Sequence, residues 1–129
     1  MNWLLLILSL PTENGTARMR AWRALKASGA AVLRDGVHVL PDDSRHADTL
    51  AAIADDLRAN GGTAHLLRTD DAAPDYRALF DRGDDYAAVL DDIGSQRASL
   101  RDETAAETVR QCRKLRRTLE QLTAIDFFP

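Results

Sequence analysis

Four cations, Arg18, Arg20, Arg23 and Lys26, stand close together, and no carboxylate falls between residues 16 and 34. Arginines on an exposed helix face meet phosphates bidentately. Several such contacts supply sequence-independent affinity for DNA. A second cluster, Arg110, Arg113, Lys114 and Arg117, follows at i, i+3, i+4 and i+7, again with no acid among them. That spacing puts it on one side of a helix, either as a second stretch of phosphate contact or as the partner of nearby aspartates. Between the two clusters, Asp70 to Glu103 holds ten acids against four arginines. The net charge of −3 therefore conceals a segregation and says little about partners.

Other chemistry is thin. Cys112 is the single cysteine, which excludes an internal disulfide framework and any Cys-cluster zinc site. Its place in an apolar stripe predicts a buried, inert thiol, and the cysteine usage suits a reducing compartment. His38, His46 and His65 fall in different elements without metal-ligand spacing. Asp84-Asp85 and Asp91-Asp92 lie seven apart, which stacks them on one side of a helix as a solvated face or as partners of the basic stripe. No Ser-His-Asp set, P-loop or Gly-rich nucleotide loop is visible. The expectation is a binding protein, not an enzyme, with no catalytic residue, no metal site and no cofactor.

These side chains need elements to position them. Trp3–Leu10 is a short apolar run ended by Pro11 and a polar turn. A signal peptide needs positive charge before its apolar core, and a membrane span needs roughly 18 apolar residues. The run has neither, so it reads as a strand covered on both faces. Thr16 is the expected N-cap of a helix running to about Ser28, with Gly29 as its stop. Met19, Trp22 and Leu25, with Ala21, are its expected buried face. Arg20, Arg23 and Lys26 lie about 100° further round, as an exposed stripe.

Val32-Leu33 and Val37–Leu40 flank Asp35-Gly36 as a hairpin. Asp42-Asp43-Ser44 supplies caps for a helix through about Ala59, with Ala47, Leu50, Ile53, Ala54 and Leu57 inward. Asn60-Gly61-Gly62 ends it, and "TAHLLRT" is a fourth strand ending at Asp70-Asp71. The order β-α-β-β-α-β predicts an α+β, ferredoxin-like domain over residues 1–71. Residues 72–129 read as a helical hairpin extension. Its first helix starts near Tyr76 and breaks or kinks at Gly94-Ser95. The second carries Val109, Cys112, Leu115, Leu119 and Leu122 as its apolar stripe. Two phenylalanines in the closing "AIDFFP" suggest a longer parent protein.

The segment "WLLLILSLPTENGTARMRAWRALKASGAAVLRDGVHVLP", with the terminal "IDFFP", closely resembles the N-terminal region of the ChrB family of bacterial chromate-resistance regulators. The resemblance covers essentially the whole chain. It implies the DNA-binding portion of a cytoplasmic repressor that holds the promoter of a chromate-efflux operon and releases it when chromate is present. It also implies double-stranded promoter DNA as partner and a chromate sensor in a C-terminal domain outside this sequence. A homodimer is expected because such regulators usually read two-fold sites. No membrane association is expected.

A fainter likeness links the first domain to small ferredoxin-like nucleases of CRISPR systems, in which the first strand ends in a metal-holding aspartate. Here that place reads Leu8-Ser9-Leu10-Pro11, with no carboxylate until Glu13, which counts against a metal-dependent nuclease. A degenerate nuclease and a protein-interaction or dimerisation module stand as the alternatives from other functional classes.

Overall fold

The computed structural model describes residues 1–70 and 74–129. It contains strands β1 (Trp3–Ser9), β2 (Ala31–Arg34), β3 (Val37–Pro41) and β4 (Thr63–Arg68). The helices are α1 (Gly15–Ser28), α2 (Ser44–Ala59), α3 (Gly83–Ala98) and α4 (Ala105–Ala124). The first six elements follow the expected β-α-β-β-α-β succession, and the protein is an α+β fold. The chain forms two compact units, Met1–Phe80 and Asp81–Pro129. Among the described residues no helix is long and apolar enough to cross a membrane.

In the first unit the four strands form one antiparallel sheet in the order β2-β3-β1-β4. Side chains alternate between its faces, and cross-strand partners share a face. Leu4 pairs with Leu40, Leu6 with His38 and Leu66, and Leu8 with Ala64. Leu4, Leu6, Leu40 and Ala64 are all buried. Leu8, Val32 and His38 on this same face line a cavity with Ala21, Trp22 and Leu25 of α1 and Leu57 of α2. Both helices therefore lie over it.

The opposite face is covered only in part. Trp3 there stacks on Phe80 with ring centroids 5.6 Å apart and meets Tyr76 edge-on at 5.5 Å. Further along the same strand Ile7 is exposed. β1 is thus buried on both faces at its start and on one face at its end, because a single 3-10 turn, Arg77–Phe80, supplies the second cover.

Local chemistry explains the helix ends. Asn14, not Thr16, caps α1: its side-chain oxygen accepts from the Ala17 amide at 3.3 Å. Its Nδ2 also donates to the Asn60 carbonyl at 3.2 Å, which joins the start of α1 to the end of α2. Thr16 lies one position inside the helix and has no such second anchor. Gly29 closes α1 with φ of 83°, the left-handed geometry expected of a glycine stop. Asp43 caps α2 by accepting from His46 N at 2.8 Å. The Asp35-Gly36 hairpin turn needs glycine twice over. Its φ is 77° and a Cβ there would stand 2.7 Å from the Leu8 carbonyl oxygen. That close approach lets the Gly36 carbonyl accept from Leu8 N at 2.8 Å.

The second unit is the helical hairpin of α3 and α4, with two departures from expectation. The helix predicted from Tyr76 begins only at Gly83, since Phe80 is drawn onto Trp3 and the Asp81 side chain accepts from Gly83 N at 2.8 Å. Gly94-Ser95 does not break α3, which runs on to Ala98. One glycine costs a helix only about 1 kcal/mol. Val89 and Leu122 are buried in this unit. Tyr86 donates to Asp126 Oδ2 at 2.8 Å, and Arg82 Nε donates to the Ile125 carbonyl at 3.3 Å. These bonds tie the start of α3 to the residues after α4. The Asp70-Asp71 end predicted for β4 lies partly outside the described residues.

Candidate functional site

The buried face of α1 consists of Ala17, Ala21 and Leu25. Met19 and Trp22, predicted to share it, are 45% and 52% exposed. The helical wheel shows why. At 100° per residue, Trp22 falls between Arg18 and Lys26, and Met19 between Lys26 and Arg23. Burying either would carry charged side chains into the core, which is prohibitive without partners. The alanine face is free of charge. The exposed surface of α1 is thus a mixed one, in which an aromatic ring and a thioether are interleaved with cations.

The cations on it are held differently. Arg18 Nη2 donates to the Leu10 carbonyl at 3.1 Å, which fixes its guanidinium beside the end of β1. Arg20 is not free: Nε and Nη2 grip Asp56 of α2 at 2.8 and 3.1 Å. The pairing raises the pKa of Arg20 through the hydrogen bond and the opposite charge, and holds Asp56 below the usual carboxylate range. A helix without acids in sequence has one in space, delivered by its neighbour. Arg23 has no hydrogen-bond or ion-pair partner among the described residues. The Lys26 ammonium sits 5.1 Å over the Trp22 ring, a cation–π contact. Gly15, Thr16, Met19, Arg20 and Arg23 line an open depression along the first turns. The first turn carries no acid, so the positive end of the helix dipole is not offset there.

Beside this surface, between α1, the end of β1 and the β2–β3 hairpin, lies the cavity of about 450 Å³. Leu8, Leu25 and Leu57 form its apolar wall, and Ser9, Arg18, Asp35 and His38 bring polar groups. Burial lowers the pKa of His38, with the nearby Asp35 carboxylate opposing the shift.

The second cluster lies on α4. Thr108 and Leu122 are buried and Gln111 and Leu115 half-buried, so this row is the packed one. Val109 and Leu119 from the expected stripe are exposed, and so is Cys112. The inert buried thiol predicted there is thereby corrected. Arg116 shares the Val109–Cys112 side of the wheel, so packing that row would bury its charge. Arg113 and Arg117 project opposite the packed row and Lys114 to its flank, all three exposed and without a side-chain partner among the described residues. Arg110 pairs with Glu107 one turn earlier in the same helix. The alternative pairing, with aspartates of α3, is not found among the described residues, and Asp84, Asp85, Asp91 and Asp92 are exposed.

The histidines remain dispersed. His46 is buried with Nδ1 2.9 Å from the Pro41 carbonyl oxygen, His65 is exposed and His38 is half-buried. Among the described residues no three His, Cys, Asp or Glu side chains are grouped as a metal ion would need. Trp22 and Met19 are the site residues that sequence reasoning missed. The signal was present, an aromatic set between cations, but was read as a buried stripe.

Fold and site together define an α+β protein with two cationic helix faces, one of them carrying an exposed tryptophan. More particularly, the chain belongs to the ChrB family: residues 18–128 match the family model for the N-terminal part of protein ChrB. It is 40% identical over 131 residues to protein ChrB of Cupriavidus metallidurans, an alignment that takes in 98% of this chain. The chain spans about two fifths of that relative's length, 40% of it. No solved structure matches.

Proposed function

We propose that the chain is the DNA-binding portion of a chromate-responsive transcriptional repressor acting in the cytoplasm as a homodimer on the promoter of a chromate-efflux operon. One observation carries the reading: the outward face of α1 gathers Arg18, Arg23 and Lys26 around Trp22, and Asp56 is the sole acid bonded to its cations among the described residues. Such a face grips phosphates through counterion release. The free cations of α4 are the second clamp, and the chain works as a binder without catalysis. Chromate detection belongs to the part of the relative's length that this chain does not span. Exposed Leu90, Val109 and Leu119 on the hairpin give a second copy of the chain an apolar surface to cover.

Fluorescence anisotropy with labelled promoter duplex tests this. Binding is expected to be tight at low salt and to weaken linearly in log salt. Arg23→Glu with Lys26→Glu should remove most of it, at least tenfold in Kd, with the fold intact because neither side chain bonds to a carboxylate. Arg20 is the wrong residue for this test, since its reversal sets like charges against Asp56. Unchanged affinity in the double variant would refute the assignment of α1.

A further inference from the structure

We propose that the cavity beside α1 is a subsite for one unpaired nucleobase, which stacks on Trp22 while its phosphate rests on Arg18. The inference rests on the nucleic-acid reading above and adds to it a part that recognises a base out of its stack.

Four observations converge. The cavity, at about 450 Å³, falls within the range of roughly 300–1,000 Å³ typical of small-ligand pockets. Its lining is mixed, with Leu8, Leu25 and Leu57 beside the polar Ser9, Arg18, Asp35 and His38, as a heterocycle with an apolar face and a polar edge requires. Trp22 lines it while staying half exposed, and indole faces are stacking platforms for bases of any sequence. Lys26, whose ammonium sits over the Trp22 ring, is not among the residues that line the cavity. Arg18 lines the same cavity and is fixed there by the Leu10 carbonyl, which leaves its other N–H groups for a phosphate.

The polar groups suit a base edge as well. The Asp35 carboxylate accepts from a base N–H, thymine N3–H among them, Ser9 both donates and accepts, and the His38 ring, half-buried, offers one donor or acceptor. A bulge or a nucleotide rotated out of the helix presents these edges. A base inside the stack does not. Exposed Val32 also lines the cavity, which gives a position that fills the space without touching the cations.

The test compares three labelled DNAs on the full chain: a blunt duplex, the same duplex with one extrahelical thymidine, and the same duplex with an abasic bulge. The thymidine bulge should bind about tenfold more tightly than the abasic one. It should also quench tryptophan emission in a saturable way. The protein has two tryptophans. Trp3 is buried, so the quench reports Trp22. Val32→Phe should abolish the preference and the quench while leaving blunt-duplex affinity unchanged. Equal affinity for the two bulges without quenching overturns the base subsite and leaves the nucleic-acid reading standing. Failure of all three DNAs to bind overturns both.

Discussion

The thiol of Cys112 stands in solvent on α4 with Arg113 beside it and Arg116 one turn on. Exposure, not the apolar neighbours in sequence, decides whether a reagent reaches it. A disulfide reagent of the dithionitrobenzoate type should therefore titrate one thiol per chain in the native protein. The native rate should stand within a few-fold of the denatured rate. Cys112→Ser should shift stability by no more than roughly 0.5 kcal/mol, as for other exposed positions. A thiol that reacts only after denaturation would mean that another surface covers it, with the exposed apolar side of the hairpin in a second copy as the first candidate. The same residue-scale logic governs Trp22. Both side chains are apolar, both lie next to cations on their helix, and both are left outside because the cations cannot follow them in.

At the scale of elements, α1 and α2 are joined by two polar links. One runs from Asn14 to the Asn60 carbonyl, the other from Arg20 to Asp56. The second link withholds a cation from the surface. Asp56→Asn removes the opposing charge and keeps the shape, so DNA affinity in anisotropy should tighten several-fold at low salt, with the gain fading as salt rises. Loss of affinity instead would show that the pair orients Arg20 for its contact. Neither link was legible in the sequence, since each spans more than thirty residues and depends on how two helices lie together. What was legible is what local rules control. Gly29 and Gly36 marked a helix stop and a turn, Asp42-Asp43-Ser44 contained the cap, and the apolar period of α2 named Leu50, Ile53, Ala54 and Leu57 correctly, with Ala47 only half-buried. Hydrophobic period alone misled on α1 and α4, where two apolar rows compete. There the row with no charge set within it is the one that packs, a rule that reads equally well from sequence once applied.

For the molecule as a whole, an acidic total charge of −3 opposes the approach of a polyanion, so binding has to come from local faces. The two faces sit in separate compact units, α1 in Met1–Phe80 and α4 in Asp81–Pro129. Affinity alone does not distinguish one grip from two. The salt slope does, because log K falls by about 0.9 per phosphate neutralised for each unit of log salt. Arg113→Gln with Arg117→Gln deletes two partnerless cations of α4 without adding repulsion. If α4 is the second clamp, the slope measured by anisotropy over a salt series should become shallower by about 1.8, twice that coefficient. A slope unchanged within error confines the contact to α1, even if the affinity drops. A reduced slope, by contrast, puts α4 of the helical hairpin on the DNA. The charge segregation along the chain then has its physical reason: each cationic cluster occupies one helix face, α1 in the first unit and α4 in the second.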